Sequence, residues 1–280
     1  MTIRELISKG NSKLNACNIE NAKGDARSIF CHIYDINLSE LFLSMDKDVD
    51  ERIGKMYLSL IEKRCQGIPL QHIIGKQEFM GLTFLVNEDV LIPRRETEEL
   101  VEEVVSIIGD KKVKLLDLCC GSGAIGISLA KLTGANVFCA DISDKALQMT
   151  KKNIELNKVN DVKVIKSDMF EKIKGTFDLI VSNPPYIKRD VIYTLAKEVR
   201  DYEPLLALDG GNDGLDFYRT LVKEAVKHLK PNGVLAMEIG YDQGEELKEL
   251  IGYSGNYKNI KVLKDLSKKD RMVIAYKREA

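Results

Sequence analysis

Long apolar runs, paired cysteines and charge of one sign are all missing from this 280-residue sequence. No stretch approaches the ~18 apolar residues that suggest a membrane-crossing helix. The N-terminus has no continuous apolar segment of the secretory kind, so the expected compartment is the cytoplasm. Six cysteines (Cys17, Cys31, Cys65, Cys119, Cys120, Cys139) make no Cys-x-x-Cys pair and no Cys/His cluster with zinc spacing. No metal site is expected, and the thiols read as free and buried. Basic and acidic side chains nearly cancel at 42 against 43, the pI is about 6.4, and the first eighty residues hold eleven of each sign. A chain that grips a long nucleic acid usually shows a basic face and a high pI; this balance argues against a stable nucleic-acid partner. The three histidines read as structural, and none is assigned a catalytic role. Repeats and low-complexity segments are absent.

What is present is an ordinary globular composition, 44% hydrophobic and 30% charged. The length favours two domains or one large one. Residues 1–73 read as a small helical domain. Thr2 and Glu5 form a capping box before Ile3, Leu6, Ile7 and Leu14. A second helix spans Asp25 to Asp35, and Asp50 caps a third running to Cys65, with Gly67 as its left-handed stop. Residues 74–91 read as a hairpin connector, with β-rich runs on both sides of Gly81. From residue 92 onward a helix (Glu96–Ile108) precedes apolar strands at Val113–Leu118, Asn136–Ala140, Val162–Ser167, Phe177–Ser182, Gly233–Ile239, Ile260–Leu266 and Arg271–Lys277. Helical patterns fall between most of them, at Ala124–Leu132, Lys145–Leu156, Leu215–Leu229 and Gly244–Ile251. This alternation predicts a parallel α/β sheet. Only Ser267–Asp270 separate the last two strands, so that pair must be antiparallel. The expected fold is Rossmann-like, seven strands with one antiparallel, as in class I methyltransferases rather than dinucleotide dehydrogenases.

Asp117 through Gly126 (Asp-Leu-Cys-Cys-Gly-Ser-Gly-Ala-Ile-Gly) reads as a strand entering a glycine turn and then a helix. Glycine lets the backbone approach a ligand closely, but this pattern also suits nicotinamide and flavin proteins. Asp141 ends the second strand, twenty residues after Gly121, where an acid can bond both ribose hydroxyls of an adenosine. Asp117 and Asp168-Met169 stand where methyltransferases place an acid near the amino-acid part of S-adenosylmethionine and contacts to its adenine, a similarity that implies the same roles here; Asp168 also suits a helix cap.

Asn183-Pro184-Pro185-Tyr186 follows the fourth strand, at the sheet edge where ligands of open α/β folds bind. A planar amide nitrogen is a poor nucleophile because its lone pair is delocalised into the carbonyl. The Asn183 side-chain oxygen and the Pro184 carbonyl are two acceptors that can hold both N–H hydrogens and turn the lone pair toward a methyl donor. Two prolines fix two φ angles and preorganise that pair. Tyr186 offers an aromatic face to a flat target. The tetrapeptide fits amino-methyltransferases acting on adenine N6, guanine N2 or glutamine N5, and does not choose among them.

Further motifs narrow the choice: Pro69-Leu70-Gln71-His72-Ile73-Ile74-Gly75, Ile92 through Glu98, Glu203-Pro204 through Gly214-Leu215 to Tyr218, and Glu238-Ile239-Gly240 with Gln243. With the glycine turn and the tetrapeptide, they resemble the peptide chain release factor N5-glutamine methyltransferases along essentially the whole chain. The resemblance implies an enzyme that uses S-adenosylmethionine on the glutamine of a Gly-Gly-Gln motif in class-1 release factors. It also implies that Asn183 to Tyr186 bind that glutamine and that Cys119, Cys120, Gly121, Ser122, Gly123, Asp141, Met169 and Asn183 line the cofactor; a partner-binding role for the helical domain is expected from its position alone. A ribosomal-protein glutamine enzyme and a nucleic-acid amino-methyltransferase are the alternatives. Two positions depart from the family's habit: Cys119, often glycine there, and Met169, often aromatic. Arg94 to Glu98 reads either as a cofactor lid or as a solvated helix start, Glu203-Pro204 as a site wall or a plain turn, and Gly210 to Gly214 as a loop.

Overall fold

In the computed structural model, which describes residues 1–279, Thr2 accepts the Glu5 N–H while the Glu5 carboxylate accepts the Thr2 N–H. This box starts α1 (Ile3–Ala16), which is followed by α2 (Ala22–Tyr34), α3 (Leu38–Ser44), α4 (Glu51–Cys65) and α5 (Leu70–Ile74). Asp50 caps α4 through the N–H groups of Arg52 and Ile53. These helices, with the later segment Ala196–Tyr202, form one compact unit; Lys76–Leu195 and Glu203 onward form a second. The core of the first unit is built on Leu6, Leu14, Ile29, Phe30, Tyr57 and Ile61, all fully buried. Against this core Arg64 bonds Asp25 at 2.7 Å and Glu198 at 2.8 Å, with both its own and the Asp25 side chain buried.

Cys17 and Cys65 are not free thiols but a disulfide pair, with Cα atoms 5.4 Å apart. The C-terminal ends of α1 and α4 meet, as the 2.5 Å Lys13–Glu62 pair also shows. Forty-eight positions separate the two cysteines, so no local pattern announces them. Cys31, Cys119, Cys120 and Cys139 are free.

The second unit opens with β1 (Lys76–Phe79) and β2 (Leu82–Leu85), antiparallel around Met80-Gly81. Both turn residues have positive φ, as a primed two-residue hairpin turn requires. Then follow α6 (Arg95–Ile108), β3 (Lys114–Leu118), α7 (Ala124–Thr133), β4 (Asn136–Asp141), α8 (Asp144–Asn157), β5 (Val162–Lys166), β6 (Phe177–Ser182) and α9 (Arg189–Ile192). After α10 (Lys197–Arg200), part of the first unit, come α11 (Asp216–His228), β7 (Leu229–Glu238), α12 (Gly244–Tyr253), β8 (Tyr257–Lys264) and β9 (Asp270–Lys277). The sheet order is β5-β4-β3-β6-β7-β9-β8. The last strand of the chain thus lies inside the sheet, antiparallel to both its neighbours.

The chain steps outward from β3 to β5 and returns beside β3 as β6. That reversal leaves a crevice beyond the carboxyl ends of β3 and β6, the usual ligand position in such sheets. Register pairs Leu118 with Ser182, and Ser182 Oγ donates to the Leu118 carbonyl at 2.6 Å. The glycine turn and the Asn-Pro-Pro-Tyr corner therefore leave the sheet side by side. Elsewhere β7 begins earlier than its apolar run. Leu229 already pairs with Phe177, and a register shift at Lys230–Gly233 absorbs Pro231, which cannot donate to a ladder. β8 also begins early: Tyr257 already pairs with Lys277 on β9, and its buried hydroxyl donates to the Val222 carbonyl. The short α9 and α10 carry no long periodic signature and went unforeseen.

Removing one partner of a buried ion pair typically costs 3–5 kcal/mol. Arg64 keeps Glu198 and the Ile68 carbonyl when Asp25 is lost, so Asp25→Ala is expected to destabilise by about 3 kcal/mol, the low end of that range. Urea unfolding followed by circular dichroism checks this; a loss below about 0.5 kcal/mol, the size expected of an ordinary surface change, would contradict it.

Candidate active site

A cavity of about 310 Å³ opens at the carboxyl ends of β3, β4 and β6, on the scale of a small-molecule pocket. Of the residues singled out in the sequence, Cys119, Cys120, Gly121, Ser122, Asp141, Asp168, Met169, Asn183 and Pro185 line it. Arg94, Thr97, Pro204, Leu206 and Ala207 complete a wall, which favours the site-wall reading of the Glu203 segment and puts Arg94 at the cavity rather than on a purely solvated helix start. Arg94 Nη2 lies 2.7 Å from each oxygen of the buried Glu203 carboxylate, tying one side of that wall to the other.

The glycine turn is held from several directions. Cys120 N–H donates to Ala140 C=O, and Gly121 N–H donates to Asp141 Oδ2 at 2.9 Å. Asp141 Oδ1 accepts the Ser143 N–H. Two buried α8 side chains support the turn from behind: Thr150 Oγ1 donates to the Gly121 carbonyl, and Asn153 Nδ2 to the Ser122 carbonyl. Asn153 also exchanges hydrogen bonds with the Leu85 backbone, joining the hairpin to the turn. Gly126 is a packing glycine, since a Cβ there would sit 2.5 Å from Cys139 Sγ and 2.8 Å from Asp117 Oδ2. Cys119 takes φ +62° and Met169 φ +42°, left-handed values that favour glycine at the first position. Their sulfurs lie 3.9 Å apart. Burial, reinforced by the Asp141 charge, pushes the Cys119 thiol up, so it stays neutral and is no nucleophile. Burial also raises Asp141 above the usual carboxylate range, opposed by the N–H bonds it accepts.

At the neighbouring corner Pro184 and Pro185 are buried and Asn183 is half-buried. The corner's backbone is gripped from behind. Ile187 N–H donates to Leu208 C=O and Gly210 N–H to Ile187 C=O, and Gln243 Nε2 donates to the carbonyls of both Tyr186 and Gly214 at 3.1 Å. A Cβ on Gly214 would lie 2.5 Å from the Tyr186 carbonyl oxygen. Gly210 to Gly214 is thus a packed brace rather than a free loop.

Four expected site residues lie outside the cavity wall: Asp117, Gly123, Pro184 and Tyr186. Strand alternation explains Asp117. It shares the face of Leu115 beneath α7, fully buried, and accepts the Gly126 N–H at 2.8 Å. Gly123 is buried as the N-cap of α7. Tyr186 is half-buried, its ring packed against the core and its hydroxyl 3.3 Å from Glu238 Oε1. Pro184 contributes at most its main chain. Sequence reasoning missed Thr97, Thr150 and Asn153. Thr97 stood within a quoted motif, but its bond to Glu238 spans 141 positions. None of the three histidines lines the cavity, and among the described residues no His/Cys/Asp/Glu cluster could hold a metal. No helix among them is long and apolar enough to cross a membrane.

The sheet order, the glycine turn with Asp141, and the Asn-Pro-Pro-Tyr corner together define a Rossmann-like methyltransferase. Comparisons agree. The family described as "Methyltransferase small domain" matches residues 96–200, and "PrmC N-terminal domain" matches residues 5–75. A methyltransferase structure from Pyrococcus furiosus, 22% identical, superposes with a TM-score of 0.54 over 71% of this chain and 90% of that one. The chain is 39% identical to the release factor glutamine methyltransferase of Clostridium botulinum, over 99% of this chain and 100% of that protein. It is 40% identical to the Clostridium acetobutylicum protein of the same name, over 98% of each. The chain belongs to the release factor glutamine methyltransferase family.

Beneath the glycine turn, the Asp117 carboxyl titrates far above an ordinary aspartate. Burial raises its pKa to about 7, against the Gly126 N–H that lowers it, with the Asp141 charge adding to the rise. Its Oδ1 has no hydrogen-bond partner among the described residues. Between about pH 4 and 7 the folded chain keeps a proton that the unfolded chain has released, so this group's contribution to stability falls as pH rises. A shift from 3.8 to about 7 corresponds to roughly 4 kcal/mol. Asp117→Asn does not titrate and is expected to gain on the parent protein by up to that amount between pH 4 and 8. Paired denaturation curves across that range check it, and a pH-independent difference would contradict it.

Proposed function

We propose that this enzyme transfers a methyl group from S-adenosylmethionine to the side-chain amide nitrogen of the glutamine in the Gly-Gly-Gln motif of class-1 peptide chain release factors. The observation that carries the reading is the braced Asn183–Tyr186 corner beside a cavity of cofactor scale. The names of the full-length relatives supply the substrate class.

The residues present suit the methyl donor. Asp141 stands at the end of β4 on the cavity wall, where its carboxylate suits two ribose hydroxyls. The left-handed backbone at Gly121 faces open space, with no atom within 4 Å of where a Cβ would stand, so a ligand can lie close to the turn. Leu118, Ile142 and Met169 give the wall an apolar surface for a flat base. S-adenosylmethionine supplies an electrophilic methyl on a sulfonium.

Asn183 Oδ1 and the Pro184 carbonyl accept the two N–H hydrogens of the target glutamine. Holding both favours a nitrogen geometry in which the lone pair is less delocalised and is aimed along one line. The corner cannot relax away from that aim because its backbone is held by Gln243 and the Leu208–Gly214 segment. The work is positioning, which can supply a large share of a rate enhancement when bound groups are held in a reactive geometry. Once methylated, the nitrogen is acidic and releases a proton without a strong base. The helical first unit is assigned to recognition of the protein partner.

Asn183→Ala is expected to abolish methyl transfer nearly completely, at least 10²-fold in kcat, while S-adenosylmethionine binding weakens only a few-fold. Single-turnover transfer to a purified release factor, with calorimetric titration of the cofactor, checks both. Transfer at the parent rate would refute clamping of the amide.

A further inference from the structure

Behind the corner lies a chain of hydrogen bonds. Asn183 Nδ2 is 3.4 Å from Thr97 Oγ1. Thr97 Oγ1 is in turn 2.6 Å from Glu238 Oε2, and the Tyr186 hydroxyl is 3.3 Å from Glu238 Oε1. Thr97 is 4% exposed and Glu238 2%. Glu238 sits at the end of β7, where the Tyr218 hydroxyl donates to its carbonyl and Arg271 on β9 faces its charge. A buried carboxylate placed between two hydroxyls is costly unless both donate to it.

The direction of donation follows from atom types. An ionised carboxylate only accepts, so the single Thr97 hydroxyl hydrogen goes to Glu238. Thr97 Oγ1 can then only accept from Asn183, and the amide group able to donate is its NH₂. The Asn183 side chain is therefore turned with NH₂ toward Thr97, leaving Oδ1 for the cavity. If Glu238 could donate, the Thr97 hydrogen would be free to point at Asn183, and the amide could flip. Its NH₂ would then confront the NH₂ of the substrate, donor against donor.

We infer that Glu238, acting through Thr97, is a positioning residue that sets the polarity of the Asn183 amide and so keeps an acceptor facing the substrate. Its bond to Tyr186 steadies the other end of the same corner. The inference rests on the amide-clamping reading above, and it gives the Arg94–Glu98 and Glu238–Gln243 motifs a shared task. The chain selects for a hydrogen-bearing nitrogen target, because only a donor satisfies the exposed Oδ1.

The test uses the full chain, labelled S-adenosylmethionine and a purified class-1 release factor. Glu238→Gln has the same shape but can donate. Thr97→Val has the same shape and carries no hydroxyl. Each is expected to lower kcat about 10²-fold, the scale of a misaligned reacting group, with KM and cofactor affinity within about 3-fold of the parent, and Thr97→Ser to recover most of the rate. Burial raises the Glu238 carboxyl above its ordinary range, opposed by Thr97, Arg271 and Tyr186 and assisted by Glu96; the Tyr218 hydroxyl sits on its carbonyl. The parent kcat should therefore fall on the acid side as Glu238 takes a proton, and this limb should be missing in Glu238→Gln. Should Glu238→Gln fail to fold, Thr97→Val with Thr97→Ser decides the matter. Unchanged kcat in Thr97→Val, with Asn183→Ala inactive, overturns this inference and leaves the clamp standing. A fully active Asn183→Ala removes both.

Discussion

An amide nitrogen becomes a nucleophile only when its lone pair is drawn out of conjugation, and two fixed acceptors on one side of it provide the simplest way to do so. Such acceptors must stay in place while a mobile protein substrate comes and goes. The second unit meets that demand through a rigid backbone corner. Two buried prolines narrow its dihedral freedom. Gln243 spends both hydrogens of its side-chain amide on the carbonyls of Tyr186 and Gly214. The glycines of the 210–214 segment allow that backbone to lie directly on the corner.

The same economy shapes the adjacent glycine turn. Its backbone is held from β4 by Asp141, from α8 by Thr150 and Asn153, and from below by Asp117 through the Gly126 N–H. Two loops with independent supports leave the sheet from paired residues, Leu118 and Ser182. Their separation is thus set by strand spacing rather than by loop length, which suits a reaction governed by alignment. Acidic groups crowd this region: Asp117, Asp141 and Glu238 are all pulled upward by burial. The fold accepts that cost where each carboxylate orders a piece of backbone or side chain around the cavity.

Much of this was legible in the sequence because it is local. The Thr2–Glu5 capping box, the hairpin turn, strand–helix alternation, the glycine turn and the Asn183–Tyr186 corner are contiguous patterns whose physics acts within a few residues. What escaped was long-range or directional. The Thr97–Glu238 bond and the Cys17–Cys65 pair join positions that only the folded chain brings together. Asp117 and Tyr186 were singled out as site residues, but strand alternation and a ring packed against the core carry them off the cavity wall. Two departures from the family's habit, Cys119 and Met169, proved to be the residues with left-handed backbone at the cavity edge, their sulfurs packed together.

The central claim is that a protein glutamine side chain receives the methyl group. The most direct measurement offers labelled S-adenosylmethionine and the enzyme, in separate reactions, to a class-1 release factor, a ribosomal protein fraction, DNA and tRNA, and locates any label by fragment mass spectrometry. The account requires one methyl on the side-chain nitrogen of the release factor's Gly-Gly-Gln glutamine. Label confined to a nucleic acid, or to a ribosomal protein, would contradict it.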